Sequence, residues 1–444
     1  MAPPMVRIKP DQELPHRTSV VVIGGGIIGS STALFLAEKG IPVVLCEKGQ
    51  IGAEQSGRNW GWTRVMGRDV REIPLGMESL KLWRRMNGMV GAETGFRQTG
   101  IVYLCQTQAD VDRHLAWLEK ARPYQVDSRM LTPDQVDAVL PGSSRRWAGG
   151  LHTPSDGRGE PQMAAPAIAT AAQKLGAKVY TDCAVRGLET KAGRVAGVVT
   201  ERGSIACDSV VLAGGAWSRL FAGNLGTHVP ALNMLGSVMR TNPIDGGPEV
   251  AASGAGFAFR KRLDGGYNVS MRNSSIGDIT PDSFKLFFQF APHLWTSRKE
   301  MNLRFGARFF EELMRPTRWG LDQKTVFERI RTLDPKPNAA AQREARDLFA
   351  KTFPAVAAMT IAETWGGLID VTPDVIPIIS AVDALPGFHL ATGFSGHGFG
   401  IGPGAGKLMA DLVAGDTPAV DPAPYRHSRF LDGTWRQDRQ MAML

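Results

Sequence analysis

Three glycines and one acid carry the first chemical signal in this chain. Gly24-x-Gly26-x-x-Gly29 follows the apolar run Val20-Val21-Val22-Ile23, encloses Ile27 and Ile28, and precedes Glu47 and Lys48 by a helix and a strand. In such a unit the first glycine permits the tight turn, the second lets the backbone approach a pyrophosphate, and the third lets the helix pack closely on the strand. The helix N-terminus adds N–H groups and a positive dipole end. Glu47, eighteen residues beyond Gly29, can accept both hydroxyls of an adenosine ribose and disfavours a 2′-phosphate. The predicted ligand is an ADP-containing dinucleotide without that phosphate, FAD or NAD.

Two further segments carry chemistry. Residues 51–64 are too rich in glycine and polar groups for a regular element. Ser56-Gly57-Arg58-Asn59-Trp60-Gly61-Trp62, followed by Arg64, is read as a loop covering the pyrophosphate or the ring beyond it. Near the C-terminus, Gly393 to Gly406 holds seven glycines in fourteen residues, including Gly396, Gly398 and Gly400 around His397 and Phe399. Placed between a strand and a helix, that run suits backbone approaching a planar or anionic ligand.

The elements that must position these segments follow from periodicity and turn chemistry. A strand over Val20–Ile23, a helix over Ser30–Lys39 and a strand over Val43–Leu45 form the first unit. Helices are predicted over Glu72–Met86, Gln108–Ala121 and Pro161–Leu175, and one starts at Pro133 with Thr132 as N-cap. Residues 149–217 are expected to return to the first sheet through strand Lys178–Tyr180, a hairpin around Glu201-Arg202-Gly203, and a second buried strand running into Ala213-Gly214-Gly215. Strands Leu232–Arg240, Phe257–Leu263 and Tyr267–Met271 read as a separate antiparallel sheet. Phe284 to Leu313 is expected to be helical, with Phe284, Phe287, Phe288 and Phe290 packed into a core. The last strand is predicted over Phe388–Ala391 and the last helix over Lys407–Val413, with no chemical signal after Gly415.

At 444 residues, 43% hydrophobic and 21% charged, the chain has the composition of a globular protein of two to three domains. No run reaches the ~18 apolar residues of a membrane span, and residues 1–18 contain no apolar signal core. The four cysteines are far apart, as expected for reduced thiols in the cytoplasm. A net charge of +8 is dispersed along the chain, so solubility explains it better than nucleic-acid binding. No metal site is read.

Taken together, the motifs resemble the D-amino-acid oxidase superfamily of FAD-dependent amine oxidases and dehydrogenases, nearest its sarcosine oxidase, pipecolate oxidase and gamma-glutamylputrescine oxidase members. The matching residues run in the family's order: the Gly24–Gly29 turn with Glu47, Ser56-Gly57-Arg58-Asn59, Ala213-Gly214-Gly215-Ala216-Trp217-Ser218, Thr372-Pro373-Asp374, and Gly393-Phe394-Ser395-Gly396-His397-Gly398-Phe399. The resemblance selects FAD over NAD. It implies an α/β Rossmann-like FAD domain of the glutathione-reductase type, assembled from residues 17–95, 150–222 and 362–420. A mainly antiparallel substrate domain with helices would comprise 96–149 and 223–361, leaving a tail over 421–444. It further implies that Ser56 to Trp62 run along the pyrophosphate and isoalloxazine, with Val185, Ala213, Gly214 and Trp217 toward the adenine end. Gly367, Gly393 and the Gly396–Gly400 turn would lie by the flavin ring.

Departures from the family refine this expectation. The cysteine that links flavin in monomeric sarcosine oxidases falls at Gly367, and residues 50–64 contain no histidine, so FAD is expected to be non-covalent. The arginine and lysine that grip the carboxylate in sarcosine oxidases align with Gly67 and Gly400, which moves that role to Arg64 or Arg272, or enlarges the substrate. The expected reaction is oxidation of a C–N bond in an amine or amino acid by hydride transfer to flavin N5, followed by imine hydrolysis. Trp62, Tyr267 and Trp365 are candidates for an aromatic wall and His397 for a group beside the ring. Oxygen or another acceptor would reoxidise the flavin; the lysine that promotes the oxygen reaction in sarcosine oxidases has no counterpart, which favours a dehydrogenase. Alternative readings are a tRNA-modifying FAD oxidoreductase and a non-catalytic flavoprotein subunit.

Overall fold

The computed structural model describes residues 3–272, 274–296 and 302–436. Val20–Ile23 is buried at every position, and a run of β-branched side chains with no polar face belongs at the centre of a parallel sheet covered on both sides. There it lies, with Val43–Cys46 on one flank and Ser209–Leu212 on the other, both parallel and in register with Val20 opposite Val43 and Ser209. The sheet continues outward to Lys178–Tyr180 on one side, and to Phe388–Thr392 and the antiparallel Ile378–Ala381 on the other.

The helix after the glycine turn spans Ile27–Glu38 and starts three residues before its expected position, because Ile27 and Ile28 already lie in its first turn. Against it pack helices Pro161–Lys174 and Gly398–Ala414, the latter also touching helix Ile73–Val90. The Gly398–Ala414 helix corrects the prediction that helix begins at Lys407. Gly402 and Gly406 face the Ile27–Glu38 helix, Gly404 faces the Ile73–Val90 helix, and Gly400 faces the Trp62–Arg64 segment. A Cβ on Gly402 or Gly406 would lie 2.9 Å from Ile27 or 2.4 Å from Ser31, and on Gly400 or Gly404 within 3.1 Å of the Trp62 or Leu75 carbonyl oxygens. The glycine run is therefore mostly a device for close packing of three helices. Pro403 inside this helix cannot donate to the carbonyl four residues back. Ser79 repairs the adjoining ladder by accepting from the Gly404 N–H (3.2 Å) and donating to the Gly400 carbonyl (2.8 Å), which also accepts from Trp83 Nε1 (2.8 Å).

A second, ten-stranded sheet has Leu232–Thr241, Tyr267–Met271 and Phe257–Lys261 as antiparallel neighbours. Ile361–Val371 pairs with Leu232–Thr241 along most of its length. Gly149–Thr153, expected in the first sheet, pairs instead with Ile101–Cys105 in the second, so the chain returns to the first sheet only at helix Pro161–Lys174 and strand Lys178–Tyr180. The Val185–Lys191, Arg194–Thr200 and Gly203–Ala206 strands form a small sheet of their own. Of the expected Phe284–Leu313 helical block, Pro281–Lys285, Phe287–Thr296 and Ala307–Leu313 are helices, Asn302–Arg304 is a strand, and residues 297–301 lie outside the described residues. The expected core packing of its aromatics holds for Phe290 alone: Phe284, Phe287 and Phe288 are 66%, 50% and 82% exposed. Phe284 meets the Phe309 ring edge to face at 6.3 Å and Phe287 meets that of Phe288 at 5.5 Å, contacts that leave all three on the outer face. The stretch after Gly415 contributes a buried ion pair, Arg429 Nε to Asp374 Oδ2 at 2.9 Å; residues 437–444 of the expected tail lie outside the described residues.

Candidate active site

The early glycine turn, the middle strand end and the late glycine turn meet at one cavity of about 1200 Å³, open-solvent space included. Its wall includes Gly24, Gly26, Ile27, Ile28, Glu47, Lys48, Ser56 and Asn59 from the early segment. Val185, Ala213, Gly214 and Trp217 come from the middle, and Gly396, Gly398 and Phe399 from the end. Two helix N-termini, at Ile27 and at Gly398, reach this wall, and first-turn N–H groups have no partner within their own helix. Gly24 adopts φ +105, and a Cβ there would lie 2.5 Å from the Ala213 carbonyl. Gly26, extended and without a capping side chain, leaves Ser56 Oγ to accept the Ile27 N–H at 2.9 Å. A Cβ on Gly29 would fall 1.9 Å from the Gly24 carbonyl, so this glycine serves the turn from beneath and does not line the cavity.

Glu47 stands at the end of its strand, its carboxylate accepting from the N–H of Gly25 and of Gly49, each at 2.7 Å. Burial pushes its carboxyl upward against the pull of Lys48 and those two donors. Glu47 lines the cavity at the turn that a ribose would approach. Gln55 Oε1 is buried on the same wall and has no hydrogen-bond partner, an acceptor awaiting a donor. Donors at two helix ends, a carboxylate between them and an orphaned acceptor match a dinucleotide with an anionic middle, a ribose and a ring bearing N–H.

The profile of the FAD dependent oxidoreductases (DAO) matches residues 19–412. The chain belongs to this family. FAD is accordingly the cofactor of this DAO-family oxidoreductase. L-Amino acid deaminase from Proteus myxofaciens, solved in complex with anthranilate, superposes with a TM-score of 0.93 at 34% identity, covering 96% of each chain. The beta subunit of Arthrobacter sarcosine oxidase is 27% identical over 425 residues, 93% of this chain and 91% of that one. Mouse mitochondrial dimethylglycine dehydrogenase is 24% identical over 425 residues, 95% of this chain, which spans only 45% of the relative's length. None of these names refers to RNA or to a non-catalytic role. Among the described residues no helix is long and apolar enough to cross a membrane.

Several of the residues expected at the site of this DAO-family chain do not line the cavity. Residues 51–64 contain a short helix, Gln55–Arg58, and a two-residue strand, Trp62–Thr63, paired to Gly157–Arg158. Arg58 is fully buried away from the cavity wall. It donates to the Ala53 and Gly366 carbonyls and to Asp334 (2.7 Å), tying the loop to the Ile361–Val371 strand. Gly57 donates its N–H to the Glu54 carbonyl, and a Cβ there would strike Met5. Gly367 backs onto Gln55 and Arg58, and Gly393 gives its N–H to Asp370 at 2.6 Å. Gly400 packs under Trp62 and Thr63. Trp60 and Trp62 meet edge to face at 5.2 Å, and Gly61 between them is held by Asn59 Oδ1. Lys48 reaches the wall but its ammonium is pinned to Glu54 (2.6 Å) and two carbonyls. Two members of the expected aromatic wall are core residues: Trp365 donates Nε1 to the Arg58 carbonyl, and Tyr267 packs on Phe259 and Phe349 with its hydroxyl on the Pro248 carbonyl. Their strands point them at the protein interior.

Sequence reasoning missed three acids. Glu54 gathers Lys48, Trp217 Nε1 and the Leu333 N–H at one wall of the cavity. Asp370 holds the Gly393 turn, and burial pushes its carboxyl up. Glu72 accepts from His397 Nδ1 at 3.0 Å from the start of the Ile73–Val90 helix, 325 positions away in sequence. Burial raises the Glu72 carboxyl, yet His397, Arg68 and Arg64 pull it down further, to below its ordinary range. Burial together with Arg68 and Arg64 lowers the His397 imidazole, more than Glu72 raises it. Near neutral pH the pair is therefore a neutral imidazole and a carboxylate. That charge state places the proton on Nδ1 and the lone pair on Nε2.

Proposed function

We propose that this chain oxidises the C–N bond of an amino acid, whose α-hydrogen leaves as hydride and whose imine product is hydrolysed by water. Bound FAD supplies the hydride acceptor at N5, held without a covalent link. Supporting an amino acid over a simple amine is one observation: the guanidinium groups of Arg64 and Arg272 lie over the ring of a single tyrosine, Tyr103, at 5.4 and 5.2 Å. Neither has a carboxylate partner among the described residues, although Arg64 donates to the Met66 carbonyl. Two guanidinium groups gathered from segments 208 positions apart form a platform for a carboxylate taken in charge-assisted hydrogen bonds. Trp62, 6.2 Å from the Tyr103 ring, adds an apolar wall that excludes water. On this reading the first sheet and its helices hold the cofactor and the ten-stranded sheet presents the substrate.

An ammonium group has no lone pair to assist hydride loss, so the amine must be neutral. His397 Nε2 takes that proton, with Glu72 orienting the ring. Glu72→Gln removes the nearest anion that raises the imidazole, and the acid limb of the pH profile for anaerobic flavin bleaching should shift to lower pH. A limb that stays put would separate His397 from the titration. The reading as a whole is tested by anaerobic titration of the yellow protein with L- and D-amino acids and with the amines that lack their carboxylate. Bleaching by an amino acid and not by its decarboxylated counterpart is expected. Equal bleaching by both would remove the carboxylate from the recognition.

A further inference from the structure

Arg68 is 4% exposed, and two of its guanidinium nitrogens, Nε and Nη1, are buried with no hydrogen-bond partner. Its backbone is fixed, the carbonyl accepting from Trp117 Nε1 at 2.8 Å. The two nearby acids are committed elsewhere. Glu72 is bonded to His397, and the Asp156 oxygens accept the N–H groups of Val65 (2.8 Å) and Met66 (3.3 Å). A buried cation with unsatisfied donors is costly unless an anion completes it. Burial, with the charge of nearby Arg64, presses the Arg68 guanidinium down to about 9 against the opposing pull of Glu72, Tyr103 and Asp156.

We propose that Arg68 is the ligand for a second carboxylate on the substrate, so that this oxidoreductase takes amino acids bearing two acid groups. The proposal rests on the amino-acid reading above and adds a distinct subsite to it. One carboxylate meets the Arg64 and Arg272 platform, and the other meets the unpartnered N–H groups of Arg68. The sequence hides this role, since Arg68 follows Gly67, the position at which the resemblance to sarcosine oxidases leads one to look for an arginine.

The test uses the FAD-loaded protein and unreactive acids: malonate, succinate and glutarate against acetate and butyrate at constant ionic strength. Binding is read from the flavin absorption spectrum and, independently, from the rise in melting temperature. The best dicarboxylate should bind at least about tenfold more tightly than either monocarboxylate, a difference of about 1.4 kcal/mol. Arg68→Met should bring the two series within about twofold of each other, and Arg68→Lys should retain part of the preference. Ligand-free Arg68→Met should melt no lower than the parent, because it removes a buried cation two of whose nitrogens have no hydrogen-bond partner. Equal binding of both series by the parent, a preference that survives Arg68→Met, or a large drop in the variant's melting temperature would each overturn the proposal. The first two leave the amino-acid reading standing, whereas failure to bind any carboxylate would overturn both.

Discussion

Gly26→Val should give a folded but colourless protein, its affinity for FAD lowered by about 100-fold or more, equivalent to about 2.7 kcal/mol. Even a single Cβ at this position would lie 2.9 Å from Ser56 Oγ, the group that accepts the Ile27 N–H. An isopropyl group would displace Ser56 and fill the approach to the first turn of the Ile27–Glu38 helix, whose residues Ile27 and Ile28 line the cavity. The backbone itself is not strained by the change, since Gly26 has φ −70. The 450 nm absorbance of purified protein, together with circular dichroism to show that the helices persist, measures the effect. A yellow variant would mean that the pyrophosphate does not pass Gly26. Acid precipitation of the parent should leave all the colour in the supernatant, as expected of flavin held without a covalent bond.

Glu160→Ala should lower stability by about 3–5 kcal/mol, the cost of stripping one partner from a buried ion pair. Glu160, at the start of helix Pro161–Lys174, accepts from Arg260 Nη1 and Nη2 at 2.8 and 2.9 Å, and Arg260 is fully buried in the second sheet. Arg260 also donates to the Trp60 carbonyl, so the pair clamps a cofactor-side helix, the substrate-side sheet and the tryptophan loop together. Burial raises the Glu160 carboxyl, but Arg260 and Arg262 outweigh it and hold it at about 2, against an ordinary value of 4.5. Its contribution is therefore complete above about pH 4.5 and is lost as pH falls toward 2. Urea unfolding at pH 7 and at pH 3.5 should show the parent losing stability and Glu160→Ala losing less. A variant as stable as the parent at pH 7 would show that the contact between the two sheets does not rely on this pair.

The two predictions differ in how visible their residues are in the sequence. Gly26 belongs to a local unit in which a buried strand, a turn and a helix follow one another within twenty residues, so spacing alone conveys its role. The Arg260–Glu160 pair joins residues a hundred positions apart and has no periodicity to betray it. The same contrast runs through the site. Glycines in the Gly398–Ala414 helix look like a ligand-binding turn when read along the chain. Only the neighbouring helices, one supplying Ile27 and Ser31 and the other Ser79, show that most of them are needed for packing. Trp365 and Tyr267 looked like wall residues because aromatic groups suit flavin pockets, but the strands carrying them turn both side chains into the core. Phe284, Phe287 and Phe288 failed in the opposite sense: a helical spacing of phenylalanines predicts a buried face only when another element covers it, and these three stay half or more exposed.

By itself the sequence determined the Rossmann-like unit, the ADP-binding end of the cofactor and the family, because these rest on short-range geometry: an unbroken apolar strand, glycine conformational freedom and a fixed distance to Glu47. Tertiary structure alone decided which glycines face the cavity, that Glu72 meets His397, and that Arg64, Arg68 and Arg272 share one neighbourhood. Those facts depend on packing between segments hundreds of residues apart, and contact energy between side chains leaves no periodic trace along the chain.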